Sequence, residues 1–182
     1  MGLLSYNELC ELVEQGVITD VEPNHINGTS VDIRLGRDII IESSLDLNKK
    51  QYVDIQARTN FPQQKIELGM AGYHMAPGEF ILAHSMEKFN LPMDISCEFK
   101  LKSSGARSGL DNALATWCDP GWNNSTLTLE LKNNLRFTHI ILREGMFIGQ
   151  MIFFRNVPVP KDKSYFIRGR YNGDSSVQEV KK

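Results

Sequence analysis

The 182-residue sequence has no Cys-x-x-Cys pair, no His-x-Glu element, no apolar run near the length of a membrane span and no excess of one charge. Each absence removes a class of function. Structural and catalytic zinc sites need closely spaced Cys and His ligands, whereas Cys10, Cys97, Cys118, His25, His74, His84 and His139 are scattered, so zinc chemistry is not expected. Three cysteines cannot all pair, which suits reduced thiols better than a disulfide framework. A bilayer span needs about 20 apolar residues, and no such run is present; the N-terminus also lacks the charged, apolar and small-residue regions of a signal peptide. A cytoplasmic protein without a membrane partner is expected. A formal charge of −2 argues against a general nucleic-acid coat.

What remains is an ordinary globular composition, 41% hydrophobic and 23% charged, so wholesale disorder is not expected. The length suits one domain with a full core, and nothing in the middle reads as a linker. Ser5-Tyr6-Asn7-Glu8 has capping-box spacing, Leu4 and Leu9 are placed as a staple, and Gly16 as a stop, which predicts a helix over 5–15. From residue 30 the pattern changes to short alternating or apolar segments between turns: Ser30 to Leu35, Asp38 to Ile41, Gly78 to Ala83, Cys97 to Lys102 and Gly149 to Phe154. Many strands and few helices predict a mainly β sandwich or jelly roll. Residues 43–66 are polar and weakly periodic, as in a long surface connection that could reach a partner subunit. Beyond Pro158 and Pro160, Lys161, Lys163, Arg168 and Arg170 face only Asp162 up to residue 171, so residues 159–182 read as a basic closing segment or as a solvated terminus.

Two segments carry chemistry. Asp119-Pro120-Gly121-Trp122 suits a type II turn, because proline presets the first φ and glycine accepts the positive φ that follows. In the strand after it, Leu127, Leu129 and Leu131 share one face while Thr126, Thr128 and Glu130 share the other. Glu130 is the candidate catalytic base; the alternative is a solvated polar face. Ser103-Ser104-Gly105-Ala106-Arg107-Ser108-Gly109-Leu110 directly follows a strand and looks like a phosphate cradle, with small residues, hydroxyl donors and one guanidinium. The alternative there is a serine- and glycine-rich loop with an exposed arginine.

In chain order these pieces resemble the dCTP deaminases of the trimeric dUTPase superfamily. The resemblance is carried by Asn27 to Gly36, Ala76 to Glu87, Ser103 to Leu110, Asp119 to Glu130, Arg143-Glu144-Gly145-Met146 and Gly169 to Gly173, over nearly the whole chain. It implies a distorted jelly-roll (β-clip) protomer over 1–182, in a homotrimer with active sites between subunits, that converts dCTP and water to dUTP and ammonia without zinc. The dUTP would supply pyrimidine deoxynucleotide synthesis. Glu130 would activate water for attack on C4, Ser103 would hold that water, Arg107 would organise the carboxylate and a phosphate, and the Ala115 carbonyl would help position water. Asp119 would accept the deoxyribose 3′-hydroxyl, Trp122 would exclude a ribose, and the Thr128 and Leu129 backbones would read the cytosine edge. Lys102, Ser103 and Ser104, with Tyr165 and Arg170 from the closing segment, would meet the phosphates, and Mg²⁺ would be carried by the triphosphate.

The sequence departs from the family at Lys102 and Arg170, which exchange arginine and lysine, at Gly105, and at Asp174, which stands where a phosphate-binding glutamine is common. Asp174 would then face Mg²⁺, or Gln178 would make the phosphate contact. Two other functions stay open: a dUTP pyrophosphatase or bifunctional deaminase, in which Asp119 aids attack on the α-phosphate, and a non-catalytic nucleotide-binding jelly roll. Glu130 together with Ser103 and Arg107 favours the deaminase.

Overall fold

The computed structural model describes residues 2–43, 51–113 and 115–182. Its strands are, in chain order, β1 (Gly2–Leu3), β2 (Ile18–Thr19), β3 (Val31–Arg34), β4 (Asp38–Glu42), β5 (Gln63–Glu67), β6 (Tyr73–Met75) and β7 (Phe80–Phe89). They continue with β8 (Ile95–Leu101), β9 (Leu110–Asn112), β10 (Trp117–Cys118), β11 (Ser125–Asn133), β12 (Ile140–Leu142) and β13 (Phe147–Arg155). The helices are α1 (Tyr6–Glu14), α2 (Ser103–Arg107) and α3 (Tyr165–Arg168). One sheet has the order β1-β13-β8-β10 with β3 also on β13; the other has the order β5-β4-β7-β11-β9 with β2 also on β7. The pairings are antiparallel in both, and β6 and β12 form a separate ribbon.

This is the mainly β jelly-roll architecture that the strand pattern anticipates. Its core lies between the sheets, where Val31, Ile33, Phe99, Met151 and Phe153 of one meet Ile39, Ile81, Phe89, Leu129 and Leu131 of the other. Antiparallel strands with one covered face alternate inward and outward residues, which is why these positions could be read in advance. Helix α1 forms as its capping box predicts: Ser5 N–H donates to Glu8 Oε2 at 3.1 Å, Leu4 and Leu9 are buried, and Gly16 takes φ +72° just past the end. Among the described residues no helix is long and apolar enough to cross a membrane.

Two segments differ from the sequence reading. The stretch 43–66, read as an open connection, contains the start of β5, which pairs along β4 from Glu42↔Gln63 to Asp38↔Glu67; residues 44–50 of that stretch lie outside the described residues. Its Gln-Gln-Lys-Ile-Glu sequence is polar because β5 is an edge strand, where solvent-facing positions need no apolar side chains. Ser103–Arg107, read as a loop, is one short helix. Ala106 N–H reaches Lys102 O at 3.2 Å, and Ser108 N–H reaches Ser104 O at 3.1 Å.

The sheets are joined at a corner in β7. Thr126 lies opposite Lys88 and Thr128 opposite His84, so Ser85, Met86 and Glu87 together face only Leu127. The fully buried Ser85 hydroxyl closes this irregularity: it accepts the Leu127 N–H at 2.9 Å and donates to Glu87 O at 2.8 Å. The Glu87 carboxylate, also fully buried, accepts Arg34 N–H at 3.0 Å and Arg34 Nε–H at 2.8 Å, tying β7 to β3 of the other sheet. Burial pushes the Glu87 carboxyl up, and Arg34 opposes that shift. Removing the Ser85 hydroxyl leaves the Leu127 amide buried without its partner. Ser85→Ala is therefore expected to destabilise the protein by about 1–3 kcal/mol, read from the denaturant midpoint.

Candidate active site

Strand β11 starts from a turn that fits the sequence reading. Gly121 takes φ +87°, and Trp122 N–H returns to Asp119 O at 3.3 Å. The turn is pinned to the preceding loop by Gly121 N–H to Leu91 O at 3.1 Å and Leu91 N–H to Trp122 O at 2.7 Å. Along β11, Leu129 and Leu131 enter the core while Thr128 and Glu130 are half-buried on the opposite face. Thr126 is buried as well, because the chain after α3 covers it: its N–H donates to Asp174 O at 2.7 Å.

Glu130 faces a cavity of about 470 Å³, not open solvent. Leu82 lies opposite it on β7, and Phe80 and Phe61 line the same cavity. Loss of water around the carboxylate pushes its pKa from the ordinary 4.5 up to about 7. Such a group exchanges protons near neutral pH and abstracts one far more readily than a solvated glutamate.

Of the residues singled out from sequence, the structure gathers Ala115, Asp119, Trp122 and Thr128 around this cavity with Glu130, and Tyr165, Asp174 and Gln178 from the closing segment. Asp119 accepts the Trp117 Nε1–H at 3.0 Å. Trp122 is 5% exposed, stacks on Phe89 at 5.2 Å between centroids, and donates its indole N–H to Tyr171 O at 2.6 Å. It therefore packs the turn and also anchors the closing segment. Tyr165 N–H donates to Pro120 O at 2.9 Å, and burial pushes the Tyr165 hydroxyl up. The Thr128 hydroxyl accepts Gln178 N–H at 3.3 Å. Asp174 is held in an ion pair, its two carboxylate oxygens 2.5 and 2.7 Å from Lys181 Nζ. An acidic residue is tolerated there because Lys181, seven residues on, neutralises it.

The remaining candidates lie elsewhere. The Leu129 side chain is in the core. Lys102 pairs with Asp32 and sits 5.3 Å over the Phe147 ring. Ser103, Ser104 and Arg107 are exposed on α2, outside the cavity lining, and so is Arg170, whose carbonyl accepts Lys181 Nζ–H at 3.2 Å. Among the described residues no group of three or more His, Cys, Asp or Glu is placed to hold a metal ion.

Sequence reasoning missed Asn60, Phe61, Trp117, Tyr171 and Val180, all of which line the cavity. Trp117 could have been found, since it stands two residues before Asp119 and so on the same side of an extended strand. Phe61 is an isolated aromatic in a polar stretch, and local pattern carries no sign of the fold that brings it across. Among the described residues, the edge of β11 is covered by β9 only in part. Glu130 O accepts Ala113 N–H at 2.9 Å on the β9 side, and β9 pairs only Leu131 to Asn133. Thr128, two residues back, turns its amide and carbonyl to that same side.

A family model described as dCTP deaminase-like matches residues 3–156. The chain is 33% identical over 163 residues to a "dCTP deaminase, dUMP-forming" of Corynebacterium glutamicum strain R, covering 84% of this chain and 80% of that one. It is 30% identical over 177 residues to a protein of the same description from Aquifex aeolicus strain VF5, covering 96% and 92%. A crystal structure of the 2′-deoxycytidine 5′-triphosphate deaminase of Agrobacterium tumefaciens superposes with a TM-score of 0.66 at 21% identity, which shows a shared fold. That match covers 86% of this chain and 48% of the other, so this chain spans about half the length of the Agrobacterium one.

The raised pKa of Glu130 has a consequence for stability. Because the folded value of about 7 lies above the ordinary 4.5, the share of stability from the neutral carboxyl is complete below pH 4.5 and is lost as pH rises through 7. Glutamine at this position loses nothing over that range. Glu130→Gln is expected to melt at a higher temperature than the parent at pH 8, with the difference closing by pH 4.5, as followed by scanning calorimetry.

Proposed function

The chain belongs to the dCTP deaminase-like family, and on that footing we propose that it hydrolyses the C4 amino group of dCTP, giving dUTP and ammonia. The observation that carries this reading is Glu130, a carboxylate that burial in a largely apolar cavity raises to a pKa of about 7. In the proposed reaction, Glu130 takes a proton from water as the oxygen bonds to C4 of the cytosine. The C4–N3 double bond opens as this bond forms and N3 takes the proton from Glu130; the tetrahedral carbon then expels its amino group as ammonia, the hydroxyl proton passing through Glu130 to the departing nitrogen as the C4 carbonyl forms. The Thr128 and Leu129 backbones hold the base edge, the Ala115 carbonyl helps align the water, and Asp119 accepts the sugar 3′-hydroxyl. Trp122 closes the sugar side, with no room left for a ribose. The substrate is the magnesium complex of dCTP, the ion being carried by the triphosphate.

Ser103, Ser104 and Arg107 do not line their own chain's cavity. In the proposed homotrimer they reach the cavity of a neighbouring copy, where Ser103 steadies the water, Arg107 meets both Glu130 and a phosphate, and Lys102 adds charge. Tyr165, Arg170 and Gln178 complete the phosphate side, while Asp174 stays with Lys181. The beneficiary of this arrangement is electrostatic: the base sits among apolar groups, and the cations that bind the triphosphate come from outside that chain's cavity. A second reading adds pyrophosphate release from dUTP, giving dUMP, and is favoured by the description of the relatives as dUMP-forming.

Ammonia and pyrophosphate released from dCTP and from dUTP, each with and without Mg²⁺, separate these readings. Ammonia from dCTP is expected, with kcat/KM rising to a plateau as Glu130 ionises, at or below about pH 7 because Arg107 of a neighbouring copy opposes the upward shift that burial gives, and Glu130→Gln is expected to abolish it. Pyrophosphate in equal amount with ammonia selects the dUMP-forming reading; pyrophosphate alone, or nucleotide binding without either product, overturns deamination.

Shared sites have their own signature. Glu130→Gln and Arg107→Ala are each expected to be inactive alone, but an equimolar mixture refolded together should recover roughly a quarter of the parent activity, because some interfaces in a mixed trimer then combine an intact Glu130 with an intact Arg107. Recovery of no activity would place both groups in one chain.

A further inference from the structure

We infer that Trp117 is a positioning residue for the sugar, its indole N–H fixing Asp119 so that the nucleotide's 3′-hydroxyl meets an oriented acceptor. This rests on the proposed reading of Asp119 and goes beyond it. Trp117 and Asp119 flank Cys118, whose side chain is buried at 6% exposure, so the two share the outward side of one extended segment. Their side chains meet there: Trp117 Nε1–H donates to Asp119 Oδ1 at 3.0 Å, and both residues line the cavity. The indole is itself held, paired through the backbone with Glu98 on β8 and tilted at 32° against the Phe154 ring, 5.8 Å between centroids.

The chemistry of this donor matters. An indole nitrogen can only donate, so it occupies one carboxylate oxygen without competing for the ligand's proton. It is also neutral, and unlike a lysine or arginine it leaves the carboxylate its full negative charge for the second oxygen. Asp119 is exposed and stands on a turn, where its side chain would otherwise rotate freely. Holding it in one orientation before binding reduces the ordering cost that the hydroxyl contact must overcome.

Trp117→Phe keeps a ring against Phe154 and removes the N–H together with part of the indole's bulk; any cost of that lost packing would weaken the binding of both nucleotides alike. The measurement is the calorimetric Kd of dCTP and of 2′,3′-dideoxy-CTP, in Glu130→Gln, where no turnover intervenes, and in Glu130→Gln carrying Trp117→Phe. The first protein is expected to prefer dCTP. The second is expected to lose about 3- to 10-fold in affinity for dCTP, the range of one neutral hydrogen bond, with dideoxy-CTP unchanged, so that the preference contracts. Equal losses for both nucleotides would show that Trp117 merely supports the fold and would overturn the inference, as would no change in either. If Glu130→Gln shows no preference for dCTP, Asp119 is not the sugar acceptor and the inference falls with it. The ammonia assay decides the deaminase reading independently.

Discussion

The corner that Ser85 closes in β7 decides what stands across from Glu130. Carrying the Thr126↔Lys88 register on without interruption would place His84 opposite Glu130; the corner advances the pairing by two residues and puts Leu82 there instead. A histidine neighbour could take a proton and hold the carboxylate ionised, whereas a leucine can only exclude water. The shift is even in length, so it leaves Glu130 on the same face and changes only its neighbour. His84 stands opposite Thr128 instead, its ring against Gly36, with Nε2 accepting Asp38 N–H at 3.3 Å and Nδ1 2.8 Å from Ser85 O. One buried hydroxyl, bonding to Leu127 and Glu87, thus goes with the register that puts a leucine, not a histidine, across from the carboxylate.

Charge is divided along the same lines. Inside the cavity, Asp174 is neutralised by Lys181, Asp119 and Glu179 are each met by an uncharged donor, Trp117 and Gln63, and Leu82 stands across from Glu130. Arg107 and Lys102 stand outside that lining, Lys102 already paired with Asp32. A cation inside would lower the Glu130 pKa and weaken it as a base, yet a triphosphate needs cations. Within one chain the two are kept apart; where a second copy brings Arg107 to Glu130, as proposed, its charge opposes the effect of burial on that carboxyl.

Much of this was legible in the sequence, for definite reasons. The capping box of α1, the Pro120-Gly121 turn and the alternation from Leu127 to Leu131 are local patterns, and the structure forms all three. The same alternation put Glu130 on the correct face but could not show whether that face met solvent or a cavity, because Phe61, Phe80 and the closing segment arrive from distant positions. Strand β5 was hidden for a related reason: an edge strand can be polar throughout and leaves no apolar period to detect. The short helix at Ser103 was obscured by serine and glycine, which suit turns as well as the single turn of helix they form. The pairing of Asp174 with Lys181 needed the tail's actual path, since residues seven apart in an irregular segment have no fixed relation.

That path gives the cavity a different kind of permanence from the sheets around it. From Gly173 onward the chain buries only Val177 among its apolar side chains, against Ile40 and Leu82, with Phe61 and Phe80 packed alongside. Its other ties are polar, and one of them, Val180 N–H to Asn60 Oδ1 at 2.9 Å, spans 120 residues of sequence. Contacts of such long range form only after the sheets have brought their ends together, and a segment with one apolar anchor is the cheapest to release. The cavity wall thus rests mainly on polar ties between distant parts of the chain, whereas β7 and β11 are held by continuous ladders and a buried core.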